Sequence, residues 1–364
     1  MNMESKRLVS LDAFRGFTVA AMILVNNPGD WGNVYGLLLH AEWNEMITPT
    51  DLIFPFFLFI VGVSIALAYS KQMEAGKSKS EMQRKIVWRA LKIFALGIFL
   101  SLYPEFNFAE IRIPGVLQRI AVVFLVCALM FVNTTWKTQA KWGVGFLVFY
   151  WVVMVFVPVP GLGTGILEPG QNMAAWLDSF LIPGKMWEGT WDPEGVLSTI
   201  PSFATGISGM LAGHLIQSKL SIERKLVWLY MAGFCALAVG YFWGWSFPIN
   251  KHIWTSSYVL YTSGLALLTL ATSIWVVDEL GYKKWTTVGL IYGSNAIAAY
   301  FLAGIFTLFV SIPESANIHN GMMNLFANIG LPPKAASLGW ALFYNLLCFV
   351  PVYVLYRRKV FIKL

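Results

Sequence analysis

The chain has 364 residues, of which 57% are hydrophobic and only 12% are Asp, Glu, Lys or Arg, with a net charge of +7. Soluble domains carry about 25% charged residues, so a water-soluble globular protein is excluded and an all-α, polytopic integral membrane bundle is predicted. The basic residues lie in short loops rather than along one stripe, which argues against nucleic acid as a partner.

A spanning helix needs roughly 17–25 mostly apolar residues, and about ten segments qualify. They are 11–27, 50–70, 87–103, 114–133, 142–158, 196–217, 226–245, 255–277, 286–311 and 337–356. Lys6 and Arg7 precede the first, as in a signal peptide. Asp12 and Arg15 interrupt it, however, and no small-residue cleavage pattern follows, so it reads as a retained helix. The loop from Lys71 to Arg89 holds six basic residues, and Lys137, Lys141, Lys219, Arg224, Lys225, Lys283 and Lys284 lie in later loops of the same side. Arg357, Arg358, Lys359 and Lys363 end the chain, whereas the opposite loops hold only Arg112, Lys185, Lys251 and Lys334. The positive-inside rule then puts both termini in the cytoplasm and His40 on the outer side. Without a linker or clear internal repeat, residues 1–364 read as one membrane domain.

Ionisable groups at membrane depth are costly and tend to mark paths or chemistry. The first such group is Asp12 with Arg15, three residues apart on one helical face. They either pair with each other or hold a substrate group. Asn26 closes the first segment, its amide able to bond His40, a substrate carbonyl or the last helix carbonyls. His40 follows, an imidazole suited to general-base work near neutral pH. Asp51 opens the next segment, where it serves as a plain first-turn carboxylate or orients His40. Thr48, Thr50, Pro49 and Pro55 suit the same helix start.

Gln118 and Arg119 fall one turn into a later segment, after Arg112. A guanidinium there needs an anion or carbonyls, either a substrate or a structural partner such as Asp12 or Asp51. The long outer loop contributes Trp176, Trp187 and Trp191, which anchor at the interface or shape a sugar-binding mouth. Asp192 and Glu194 precede Ser198, Thr199 and Ser202, and then Gly206, Gly209 and Gly213 allow close helix packing within or between chains. Asn250, Lys251, His252 and Trp254 precede Ser257 and Tyr258 at another outer helix end. Cys127, Cys235 and Cys348 all lie in apolar runs, as small packing residues rather than a disulfide or metal set. No nucleotide-binding loop, HExxH or GxSxG occurs, and no metal is expected.

The ordered motifs Ser10-x-Asp12-x-Phe14-Arg15-Gly16, Val25-Asn26, His40-Ala-x-Trp43-Asn44 and Asp51-Leu-x-Phe54-Pro55 open a resemblance. It continues through Lys85-Ile-x-Trp88-Arg89, Arg112-Ile-Pro-Gly-Val-Leu-Gln118-Arg119, Asp192-Pro-Glu194-Gly and Asn250-Lys251-x-x-Trp254-x-x-Ser257-Tyr258. Together these resemble the transmembrane heparan-α-glucosaminide N-acetyltransferase family and its bacterial relatives, over most of the chain up to about residue 300. The resemblance implies an enzyme that takes acetyl-CoA from the cytoplasmic side and acetylates a glucosamine-type amine on the other side. It implies His40, Asn26 and Asp51 as catalytic residues. The chain departs from the family's pattern before His40, where Asn27-Pro28-Gly29-Asp30 and a longer insert replace a short Gly-rich stretch.

On this reading Asp12, Arg15, Arg112, Gln118, Arg119, Glu194, Trp254 and Tyr258 bind the amino-sugar or glycan acceptor. Lys85 and Arg89 are candidates for the CoA phosphates. The expected setting is a bacterial inner membrane, with lipid around the bundle and a homodimer left open. The rival reading is an amino-sugar transporter or permease, in which the polar mouth only binds; a third is an acyltransferase for another hydroxyl or amine on a cell-wall glycan.

Overall fold

A computed structural model describes residues 8–311 and 316–362; Lys6, Arg7 and Lys363, used above for orientation, lie outside them. The described residues form thirteen α-helices without a strand. In order these are α1 (Val9–Val25), α2 (Ile53–Glu74), α3 (Lys79–Leu102), α4 (Val116–Asn133), α5 (Trp136–Phe156), α6 (Met173–Leu181), α7 (Val196–Gln217), α8 (Ile222–Trp243), α9 (Ser256–Ser273), α10 (Thr287–Ser294), α11 (Ala296–Ser311), α12 (Ala316–Asn328) and α13 (Pro333–Arg357).

Among the described residues, seven helices are long and apolar enough to cross a membrane, and the pair α10–α11, bent by 73°, makes an eighth candidate. Of the expected ten, the remaining two are α1 and α3. The first has only 17 residues, and the second carries Lys79, Arg84, Lys85, Arg89 and Lys92 between its start and residue 92. The single span expected over 286–311 is broken at Asn295, whose backbone leaves the helix with φ −135° and ψ 44°. That side chain instead donates to the Val360 carbonyl at 3.1 Å and accepts from the Ile362 N–H at 2.8 Å, pinning the C-terminal strap.

The centre of the bundle is the α2–α7 pair. A Cβ placed on Gly209 would lie 2.0 Å from the Phe59 carbonyl oxygen, and one on Gly62 would lie 1.9 Å from that of Gly206. Only glycine permits this backbone approach, the usual way helices pack where the surroundings are as apolar as the side chains. The glycines of α7 are therefore used within the chain. Gly16 on α1 makes a similar crossing with Gly289 and Gly293 on α10. Buried side chains of α1, α2, α3, α4, α7, α9, α11 and α13 fill the space between these crossings. The outer faces of α5, α8 and α13 expose Trp142, Phe149, Trp228, Phe234, Leu342 and Leu346, as helices bathed in lipid do.

Candidate functional site

The segment joining α1 to α2 returns across the end of the bundle and is tied down by Asp51. Pro49–Leu52 form a single tight turn that runs into α2, with Thr48 and Asp51 capping it reciprocally. Oδ2 of Asp51 accepts from the N–H groups of Thr48 at 2.9 Å and Ala41 at 3.0 Å. Its other oxygen accepts from His40 Nδ1 at 2.8 Å. A carboxylate can only accept here, so it fixes the imidazole with its proton on Nδ1 and its lone pair on Nε2. The Asp51 side chain is 1% exposed and that of His40 42% exposed, so an anchored carboxylate holds an accessible imidazole.

The loop between α8 and α9 closes over this pair. Lys251 Nζ lies 2.8 Å from His40 Nδ1 and 3.1 Å from Nε2, and 3.6 Å from Asp51 Oδ1. Burial lowers the Lys251 ammonium from the ordinary lysine value, against the opposing attraction of Asp51 and Glu194. His252 is also pulled down by burial. It donates from Nε2 to the Ala41 carbonyl at 3.1 Å and stacks on Trp43, with ring centroids 5.2 Å apart. Trp191 packs edge-on against Trp43. Asn250 organises the loop, donating to the Trp43 carbonyl at 2.7 Å and accepting from the His252 N–H at 2.7 Å. Trp254 adopts φ 51°, a left-handed backbone rare for a bulky residue and a sign of a tightly determined site.

A second polar chain runs behind the first. Tyr258 donates to the Asp51 carbonyl at 2.6 Å, and its ring meets Trp254 edge-on. The Arg119 guanidinium lies over the Trp254 ring at 5.0 Å and donates to Ser198 Oγ at 2.5 Å and the Gly195 carbonyl at 3.2 Å. Arg119 thus pairs with neither Asp12 nor Asp51. Its Nε and Nη1 are buried without a hydrogen-bond partner among the described residues. Arg112 holds Asp192 with two bonds, at 2.8 and 2.7 Å, and Glu194 at 2.5 Å. Burial opposes its charge, but these two carboxylates outweigh burial and raise the guanidinium above its usual value. Arg112 also lies against Trp187.

Arg112, Gln118, Trp187, Lys185 and Tyr300 line a cavity of about 600 Å³ beside this chain. A narrower groove of about 360 Å³ runs between α1, α2, α9 and the turn that precedes α10. Ser10 and Ala21, both lining it, are about 16 Å apart along α1 at 1.5 Å per residue. Its far end touches Pro49 and Leu52, either side of Asp51, and its near end Val277 and Trp285.

Other expected site residues lie apart from this cluster. Asn26 caps α1 and is exposed, with no side-chain hydrogen bond to His40. Asp12 and Arg15 pair at 3.3 Å near the opposite end of α1, and Arg15 also donates to Ser64 Oγ at 2.7 Å and approaches the Gly293 carbonyl. Lys85 pairs with Glu81 on the surface of α3, and Arg89 sits over Phe124. Conversely, Lys251 and His252 belong to the site although sequence reasoning singled out neither as a site residue. Their signal was the density of polar side chains just before α9.

A histidine fixed by a buried carboxylate, at the end of a bundle of helices long and apolar enough to cross a membrane, defines the candidate site of a polytopic membrane protein. Residues 7–239 match the family model for heparan-alpha-glucosaminide N-acetyltransferase, catalytic. The chain belongs to that family. It is 28% identical over 99% of its length to the mouse heparan-alpha-glucosaminide N-acetyltransferase, and 29% identical over 98% to the human one. It spans 61% and 60% of those two proteins.

Proposed function

We propose that the protein is a transmembrane acetyltransferase that moves an acetyl group from cytoplasmic acetyl-CoA to the amine of a glucosamine-type acceptor on the outer side. The observation that carries this reading is the His40–Asp51 pair at 2.8 Å, which turns Nε2 of an accessible ring away from the carboxylate. His40 removes the proton as the amine attacks the thioester carbonyl, and Asp51 holds the tautomer and stabilises the imidazolium. Asn26, on the same side as His40, is the candidate donor to the developing oxyanion once the acceptor is bound.

The donor arrives through the α1–α2–α9 groove, whose length suits an extended pantetheine arm. Lys85 and Arg89, one turn apart on α3, are the candidates for its phosphates. The acceptor occupies the cavity beside Arg112, Gln118 and Glu194, with Arg119, Trp254 and Tyr258 forming the wall behind His40. Asp12 and Arg15, at the inner end of α1, would meet the donor rather than the sugar. The full topology we propose has ten spans in one domain, both termini cytoplasmic, in a bacterial inner membrane, with a homodimer compatible with it.

The test is acetyl-CoA consumption by purified protein with a panel of glucosamine acceptors, read by mass spectrometry of the product. His40→Ala should remove transfer while leaving the protein folded and inserted. Undiminished transfer by that variant would refute the role of His40.

A further inference from the structure

We infer that Lys251 is a further catalytic residue of the His40 site, placed to take up the negative charge of the acyl carbonyl during transfer. The inference rests on the acyltransferase reading above. His40 Nδ1 has its proton committed to Asp51 at 2.8 Å, so Lys251 cannot donate to that nitrogen. The remaining acceptor on the ring is Nε2, 3.1 Å from Nζ. With Nζ 2.8 Å from Nδ1 and 3.1 Å from Nε2, the ammonium lies over the face of the ring, off the in-plane axis of the Nε2 lone pair that the reaction needs.

The neighbouring cations are already engaged. Arg112 is held by Asp192 and Glu194, and Arg119 donates to Ser198 and Gly195 behind Trp254. The Lys251 side chain is 16% exposed, and its loop is fixed at both ends by Asn250 and Thr255. The charged and titratable groups facing it are Asp51, His40, Glu194 and His252. An ammonium with three donors, beside the base and partly desolvated, is suited to a charge that appears only during reaction.

In the step, the amine lone pair forms the C–N bond with the thioester carbonyl carbon, and the C=O π pair moves onto oxygen. A Lys251 N–H donates to that oxygen, while Nε2 takes the amine proton. Re-forming C=O breaks the C–S bond, and the proton held by His40 passes to the departing thiolate, giving free CoA and the amide.

Lys251→Met and Lys251→Arg, assayed as full-length protein in detergent, separate this role from a structural one. Lys251→Met should lower kcat about 10²–10³-fold, the usual loss for one oxyanion donor. Its affinity for a thioether analogue of acetyl-CoA should stay within about threefold, as for an interaction made only in the transition state. Lys251→Arg should retain part of kcat and move the alkaline limb of the pH–rate profile upward, because a guanidinium stays protonated. A Lys251→Met kcat near that of the wild type, or loss confined to analogue binding, overturns the role of Lys251 alone. If Lys251→Met does not fold, an unshifted alkaline limb in Lys251→Arg overturns it. A wild-type protein that transfers acetyl to no acceptor overturns the acyltransferase reading and this inference with it.

Discussion

Replacing Asp51 by Asn tests whether the carboxylate works by fixing the histidine's tautomer. The variant's amide oxygen can still accept from the Thr48 and Ala41 N–H groups, which Asp51 Oδ2 now holds at 2.9 and 3.0 Å. Its NH₂ group then faces His40 Nδ1, where Oδ1 had accepted at 2.8 Å. Two donors cannot share that contact, so the imidazole proton moves to Nε2 and the lone pair turns inward. Wrong-tautomer variants of His–Asp pairs lose about 10⁴ in kcat, equivalent to about 5.5 kcal/mol of transition-state stabilisation. With its backbone contacts kept, the fold should lose only about 1–2 kcal/mol. The assay is steady-state acetyl transfer alongside thermal unfolding in detergent. A variant that folds and retains kcat within about tenfold of wild type would refute the tautomer argument.

Arg112→Leu leaves the fully buried Asp192 carboxylate without its cation, although the Trp187 and Glu194 N–H groups still donate to it. Breaking one side of such a pair costs about 3–5 kcal/mol, which a fall in unfolding temperature should register. Asp178, 1% exposed, accepts from the Val196 N–H at the start of α7, and burial pushes its carboxyl up to about 6. With the folded value raised, its contribution to stability is full below the unfolded value of 3.8 and is lost as pH rises through about 6. That loss amounts to about 3 kcal/mol, so the stability difference between wild type and Asp178→Asn should change by this amount between pH 4 and 7, and a flat difference would contradict it. Gly209→Ala drives a methyl against the Phe59 carbonyl and should cost about 3 kcal/mol or more, measured as lost folded yield and lower unfolding temperature.

The long apolar runs made α2, α4, α5, α7, α8, α9 and α13 legible from composition alone, because a bilayer leaves a helix few alternatives. The break at Asn295 was not legible, since its cause is a tertiary bond to Val360 and Ile362. His40 and Asp51, eleven residues apart, could be paired because a helix start brings a carboxylate back toward the preceding loop. Lys251 reaches the same imidazole from 211 positions away, and nothing local distinguishes it from an interfacial lysine. Arg119 was placed one turn into its helix, and of the anion or carbonyls expected it takes a carbonyl, with a serine hydroxyl beside it, rather than Asp12 or Asp51. Hydroxyls and backbone carbonyls are too common in a sequence to single out as partners. Asp12 and Arg15 looked like part of one polar mouth with His40, yet α1 itself separates them from it.

The claim that donor and acceptor meet across the membrane is tested most directly in proteoliposomes of one orientation. Labelled acetyl-CoA is supplied at the basic-loop face, with glucosamine confined to the His40 face. The account predicts N-acetylated sugar on the His40 side, free CoA on the other, and neither in vesicles of His40→Ala. Passage of unmodified sugar without CoA dependence, or product formed only when both substrates share one face, would contradict it.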